Sequence, residues 1–350
     1  MNKRILWVDW AKFLAIFAIL LIHTSSQFLT DLPLFEGSWF VSLFFEAIAR
    51  WGVPVFIMVS GYLLLRKDYE IGEFLKKRIT RVVIPFIFWN FVYIFIKIIM
   101  KNPIEGKLTV FKVLSFIVHG FLDPTIVTVQ FWFVYMILGL YLMTPILSRW
   151  IKNATEGEIN YFLIMWLIVM IINLFNMDFL LLKYITLFAG VVGYFILGYY
   201  IAVKIESKDN LILLNNPVKG LFIFIIGFVC IIAGTIFASH FSNGLNLMMI
   251  TQGDVTPFAL LESIGVFIIL INLTPLIKKG LINNIATQIS KASYGIYLVN
   301  ILVIDLLIKI GVFSSAYLII LYAIISLVVS FIIIRIMKEI PIIKMFSGSA

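Results

Sequence analysis

Charge is scarce in this sequence. Of its 350 residues only 13% are Asp, Glu, Lys or Arg, where ordinary soluble domains carry about a quarter. The lone cysteine, Cys230, excludes an intramolecular disulfide framework. The three histidines, His23, His119 and His240, lack metal-ligand spacing, so no metal site and no tightly bound cofactor is expected. Alternating strand patterns are missing as well. The apolar runs are continuous and about twenty residues long, which excludes a transmembrane barrel, whose strands alternate over about ten. The net charge of +9 is not gathered into a basic domain, so no nucleic-acid partner is expected. A cleavable leader is not expected either, because the first apolar run is too long and no small-x-small site follows it.

What remains is apolar. Hydrophobic residues make up 62% of the chain and the mean hydropathy is +1.09. Such a composition belongs to an all-α polytopic membrane protein whose partner is the lipid bilayer itself. Ten spans are expected, at about 8–29, 40–65, 82–100, 131–148, 159–177, 183–203, 219–240, 257–277, 292–311 and 316–337. With the N-terminus placed in the cytoplasm, twenty of the 27 Lys and Arg fall on the inner side and six on the outer. That asymmetry orients both termini inward. The whole of 1–350 reads as one membrane domain with a short cytoplasmic tail at about 338–350 and no internal repeat. The Ile- and Lys-rich composition points by association to the plasma membrane of a low-GC bacterium.

The stretch from Asp9 to Thr30 stands out, because an apolar span there carries Lys12 near its start and His23 deep inside. Eleven positions at about 100° per residue bring Lys12 and His23 to nearly one helix face, about 16 Å apart along the axis. Asp9, Ile16, Ile19 and Gln27 share that face. Ionisable groups inside a bilayer are costly and ordinarily face a cavity or a partner. An imidazole can serve as general base on a hydroxyl, since its ordinary pKa lies near working pH. A histidine that merely hydrogen-bonds a neighbouring helix is the competing account.

Three other places draw attention. The inner segment 66–86 holds six basic residues, among them Arg78 and Arg81, which lie on one helix face and whose guanidinium forks suit phosphate. Positive-inside anchoring alone makes such clusters too. The second span holds Glu46 and Arg50 at intrahelical pairing distance, then Pro54, expected to kink or break the helix, and Ser60-Gly61, where a second backbone can approach. The segment 108–121 reads as an amphipathic helix at the outer face. Glu262 and Asp305 suit interhelical hydrogen bonds or an acceptor path, and Trp132, Phe133 and Tyr135 suit packing or a sugar platform.

Taken in order, Lys12-x10-His23, FIMVSGYLL at 56–64, Arg78-x-x-Arg81 with Pro85, QFWFVYMILGLYLMTPIL at 130–147 and ISKASYGIYLVN at 289–300 resemble the acyltransferase family 3 membrane proteins. The resemblance implies about ten transmembrane helices and an acyl group, usually acetyl, carried from cytoplasmic acyl-CoA as co-substrate. The acceptor it implies is a hydroxyl of a cell-envelope sugar or glycan, such as an exopolysaccharide or a lipid-linked sugar. By position, His23 becomes the catalytic histidine, Lys12 the basic partner of its motif, and Arg78 and Arg81 the donor-handling pair. Family members often have histidine where this chain has Asn300, whose amide is no base and whose role is positional. The appended hydrolase-like domain of some relatives has no counterpart here.

These readings combine into one geometry. Lys12, Arg78, Arg81 and Ser60 would receive the anionic donor from the inner face, and its slender arm would reach His23. Ser26, Gln27, Trp132, Tyr135 and Asn300 would stand on the acceptor side. Glu46 and Arg50 are candidates for the chemistry, Arg50 as oxyanion stabiliser, or for a purely structural pair. The rival class is an exporter of a glycan or small molecule; transporters often show interrupted helices in matching halves, and no such pairing is apparent.

Overall fold

The computed structural model describes residues 5–29, 32–101, 109–174, 190–207, 215–241, 253–274, 277 and 280–349, with no strand among them. Twelve helices of more than ten residues carry the described chain: α1 Leu6–Leu29, α2 Gly37–Ile48, α3 Gly52–Leu64, α4 Ile71–Lys101, α5 Val110–Leu122, α6 Trp132–Asn153, α7 Glu156–Leu174, α8 Val192–Glu206, α9 Pro217–Phe241, α10 Pro257–Leu273, α11 Leu281–Lys309 and α12 Ile319–Glu339. Among the described residues eight spans are long and apolar enough to cross a bilayer, with α2 and α3 together forming one of them over Gly37–Leu64. The other two expected spans correspond to the shorter α8, of 15 residues, and α10, of 17. Parts of the expected spans, at 175–177, 183–189 and 275–276, lie outside the described residues, as does 242–252 in the expected outer loop. The 108–121 segment forms α5, with Thr109 capping it by accepting from the Lys112 amide.

α1 is the hub. It packs against α2, α3, α10, α11 and α12. In its most apolar stretch 56% of residues are buried, and in that of α11 61%, against 22% in α7 and α9. The α1–α11 pair is thus the core of the bundle, and α7 and α9 are its rim. α1, α4 and α11 run in the same direction, because each begins at the basic end, where Lys12, Arg78, Arg81 and Lys291 line one pocket. At the start of α4, Glu70 accepts from the Gly72 and Glu73 amides. Those two bonds hold its carboxyl below the usual range, the Glu73 amide contributing most.

The expected second span is not continuous. It breaks at Ala49–Trp51, three residues that close on short-range backbone bonds, and Arg50 sits in the break. Pro54 is not the breaker. It lies in the first turn of α3, where its missing N–H leaves no helical bond unmade. The expected cytoplasmic tail also differs. α12 continues to Glu339, and the residues after it pack back on the bundle: Phe346 stacks on Phe88 of α4 at 4.7 Å, and the Ser347 carbonyl fills the space where Gly295 lacks a side chain.

Small residues set the spacing of α3 and α8. A Cβ on Gly61 would run into the Phe195 carbonyl, and one on Gly198 into the Met58 backbone. Backbones this close gain van der Waals contact that larger side chains would forbid. Gly61→Ala is therefore expected to lower the thermal unfolding midpoint in detergent, with an overpacking cost of about 1–3 kcal/mol. Gly139→Ala, on α6 where nothing lies within 4 Å, serves as the control and should leave the midpoint in place.

Candidate active site

The seam between α1 and α11 is a ladder of polar pairs. Near the basic end Trp10 Nε1 donates to Asn283 Oδ1 at 2.8 Å, and Asp9 accepts from Ser290 at 2.8 Å and Thr287 at 3.3 Å. Deeper, His23 Nδ1 meets Asn300 Oδ1 at 2.7 Å. The neighbouring Thr24 hydroxyl turns back to the Leu20 carbonyl of its own helix and so meets its polar need locally.

Asn300 settles the tautomer of His23. Its Nδ2 donates to the carbonyls of Tyr297 at 2.5 Å and Ile296 at 3.3 Å. Carbonyls only accept, so the amide must present Oδ1 to the ring. That oxygen accepts too, which places the imidazole proton on Nδ1 and leaves Nε2 with its lone pair. Asn300 is fully buried, whereas the His23 ring stays partly accessible. The pair can thus hold an oriented base in an apolar surround.

At the basic end lies a pocket of about 160 Å³, measured as space open to the centre of a water molecule. Lys12, Ser60, Arg78, Arg81, Lys291 and Tyr294 line it. The sequence-predicted donor residues Lys12, Arg78, Arg81 and Ser60 are therefore brought together on three helices. Lys291, Tyr294 and Gly348 join them without having been singled out; Tyr294 is fixed by donating to the Val82 carbonyl at 2.8 Å. The pocket does not reach His23. Phe56 and Phe133 line its deep side, Phe133 packs on Tyr297 at 4.9 Å, and His23 lies beyond them.

Glu46 and Arg50 form a different constellation. Arg50 bonds Glu46, whose other oxygen accepts from Ser25 at 2.5 Å, and Arg50 also pairs with Asp254 at 3.9 Å. Asp254 was not anticipated; it lies just before α10, and its backbone carbonyl accepts from Tyr194 at 2.9 Å. Burial pushes the Asp254 carboxyl up from its ordinary range while Arg50 pulls it down. Glu262, fully buried on α10, is within electrostatic reach of the same guanidinium. Ser25 and His23 are two positions apart on α1, so their side chains leave on nearly opposite faces. The geometry thus gives Arg50 and Glu46 the work of joining α1, α2 and the start of α10.

The remaining acceptor-side candidates are scattered. Ser26 returns to the His23 carbonyl at 3.4 Å, and Gln27 is half-buried. Tyr135 donates to the Phe121 carbonyl at 2.5 Å and Trp132 packs edge-on against Phe133 at 6.2 Å, so both serve packing rather than a shared platform. His119 bonds Ser115 within α5, His240 packs against Phe35, and no group of metal-binding residues occurs among the described residues.

A family model described as "Acyltransferase domain" matches residues 5–335, nearly the whole chain. This chain belongs to the acyltransferase 3 family. Membership and the eight long apolar helices favour the membrane-enzyme expectation over the exporter. The chain is also 26% identical over 228 residues to the nodulation protein NolL of Sinorhizobium fredii (strain NBRC 101917 / NGR234), a match covering 61% of this chain and 52% of that protein. The chain therefore spans about half the length of the curated relative it matches. No solved structure matches it.

Removing Arg50 should strand buried carboxylates on both of its sides. Arg50→Leu is expected to destabilise the protein by about 3–5 kcal/mol, read as thermal unfolding in detergent, and Arg50→Lys should recover part of that loss. An Arg50→Leu protein that unfolds like the wild type would contradict this structural assignment.

Proposed function

We propose that this acyltransferase moves an acyl group from acyl-CoA to a hydroxyl of a cell-envelope saccharide, with His23 as general base. The observation that carries the reading is the His23–Asn300 pair, an oriented imidazole on the same helix as Lys12 and about 16 Å deeper than the cationic pocket. Coenzyme A offers phosphates at one end and a thioester at the other. Arg78, Arg81, Lys12 and Lys291 supply positive charge for the first, and the pantetheine arm is long enough to bring the second near the ring.

In this reading the basic end faces the cytoplasm, as the Lys and Arg asymmetry suggests. Nε2 of His23 takes the proton of the acceptor hydroxyl as its oxygen attacks the thioester carbonyl. The C–S bond breaks, the coenzyme A thiolate leaves toward the basic pocket, and the proton passes on to it. An ester and free coenzyme A result, with no covalent enzyme intermediate. Asn300 accepts from Nδ1–H throughout, stabilising the imidazolium that forms transiently. Acetyl is the acyl group the family resemblance favours.

The test is transfer from radiolabelled acetyl-CoA to envelope saccharides by the purified protein in nanodiscs. His23→Ala should lose about 10²–10⁴-fold in turnover while the protein stays folded in the nanodisc; near-native turnover would end the assignment. Asn300→Leu should lower kcat with little change in KM for acetyl-CoA, because it disturbs the base and not the donor. Arg78→Ala and Lys291→Ala should show the opposite split, a raised KM and a nearly constant kcat.

A further inference from the structure

Tyr93 of α4 reaches across to α11 beside Asn300. Its hydroxyl donates to the Leu298 carbonyl and accepts from the Leu302 amide, both at 3.0 Å. Those are two groups that the regular hydrogen-bond pattern of a helix pairs with each other. The same hydroxyl accepts from Nε2 of Gln130 at 3.2 Å. A phenol has one proton to give and room for two donors, so every bonding capacity here is spent. The ring is fixed as well, buried and edge-on to Phe131 at 5.3 Å.

Asn300 lies midway in sequence between Leu298 and Leu302. Its amide folds back on the carbonyls of Tyr297 and Ile296 in the same turn. Tyr297 is itself tied, because its hydroxyl donates to the Gln130 carbonyl. Tyr93, Gln130, Tyr297 and Asn300 thus close a ring of bonds around one turn of α11. Gln130 joins it at a cost: its Oε1 is buried with no hydrogen-bond partner among the described residues. That orphan follows from the Tyr93 oxygen, whose proton already goes to Leu298 and which has room only for donors.

Packing does not hold this turn by itself. A second cavity, about 470 Å³ on the scale that gives the basic pocket 160 Å³, lies against Tyr93 between α4 and α11. Leu302, Asp305 and Leu306 are among its walls. Along α11, Asn300 falls between the two cavities: Lys291 precedes it by nine residues and Asp305 follows by five. At 1.5 Å per residue that is about 13 Å to one side and about 8 Å to the other. Side chains that border open space lack partner atoms on that side, so the hydroxyl supplies a restraint that packing does not.

We propose that Tyr93 is a positioning residue for the base: its hydroxyl fixes the turn of α11 that aims the Asn300 amide at His23, and so holds the imidazole in one tautomer. The consequence follows from the amide, whose oxygen and nitrogen are alike in size and opposite in role. Only the carbonyls of Tyr297 and Ile296 decide which of the two meets the ring. Displaced from them, the amide can turn over and donate to Nδ1 of the imidazole. The ring proton then sits on Nε2, and the lone pair that would take the acceptor's proton is gone. The assignment rests on the acyl-transfer reading for what the imidazole does, and not for how it is held.

The test is nitrogen-15 NMR of the full-length protein in nanodiscs, labelled at histidine and held in mildly alkaline buffer, with the His23 signals assigned by their loss in His23→Ala. The wild type should show a protonated Nδ1 and an unprotonated Nε2. Tyr93→Phe keeps the ring and its packing and should add the signals of the opposite tautomer. In acetyl transfer it should lower kcat about tenfold at an unchanged KM for acetyl-CoA, and lower it no further in an Asn300→Leu background, since residues that act through one partner are not additive. Tyr194→Phe, which removes another hydroxyl-to-carbonyl tie, at Asp254, should leave tautomer and kcat in place. A single wild-type tautomer in Tyr93→Phe, or a full further loss of kcat on top of Asn300→Leu, would overturn the proposal. A changed tautomer with unchanged turnover would leave the positioning standing and remove the base assignment alone. Should Tyr93→Phe not fold, Gln130→Leu decides, with the opposite tautomer supporting the proposal and its absence overturning it.

Discussion

A polar group inside a hydrocarbon layer must find its partner within the protein, because an unsatisfied one costs several kcal/mol. That constraint fixes α1 against α11. Trp10, Asp9 and His23 each meet a polar partner on α11, at Asn283, at Thr287 and Ser290, and at Asn300. Sliding one helix along the other would break all of these together, so register and rotation are set by the same bonds that orient the imidazole. The aliphatic contacts around the seam add packing energy but choose no register. Precision at His23 follows from the ladder rather than from any single bond.

The break between α2 and α3 answers the same constraint differently. Arg50 sits where the helix is interrupted and faces Glu46, Asp254 and, at longer range, Glu262. One guanidinium among several carboxyl groups is costly to desolvate, and it lasts only because each bond it makes also joins separate elements. Ser25 ties that cluster to α1 on nearly the opposite side from His23. The His23 imidazole is thereby held from one side by Asn300, and its helix is held from the other by Glu46. Gly61 and Gly198 then bring α8 against α3 closely enough to close the bundle behind the cluster.

What could be read from the residues follows period and charge. The Lys12–His23 face and the arginine pair were legible because each lies on one regular helix, where spacing alone sets direction. The long spans were legible because hydropathy averages over many residues. Lys291 was counted only as an inner-side charge; its place in the donor pocket depends on how α11 turns against α4, which one sequence does not state. Asp254 was hidden in a loop, and Tyr93 looked like one aromatic among many until its hydroxyl was found bridging α11. The break at Ala49–Trp51 was misattributed to Pro54 because proline is the strongest breaker in a pattern, whereas a buried Arg50 seeking partners has no comparable local signature. The tail after Glu339 was expected only as a short cytoplasmic segment; the contact of Ser347 with Gly295 depends on tertiary packing that hydropathy does not carry.

The two cavities share an axis, and a continuous water path along it would let ions cross the membrane. The layer formed by Phe56, Phe133 and Tyr297 prevents this, with ring contacts of 5.8 and 4.9 Å between the basic pocket and His23. The pantetheine arm, slender though it carries two amides and a hydroxyl, would have to pass between these rings. In the proposed reaction that arm would part the layer only while coenzyme A is held by the arginines, and it would reseal when the thiolate withdraws. In that reading the same closure would keep water from the thioester before the acceptor hydroxyl arrives. His23, in the last third of α1, would then be separated from the basic pocket by aromatic rings, where transfer and a sealed membrane are compatible.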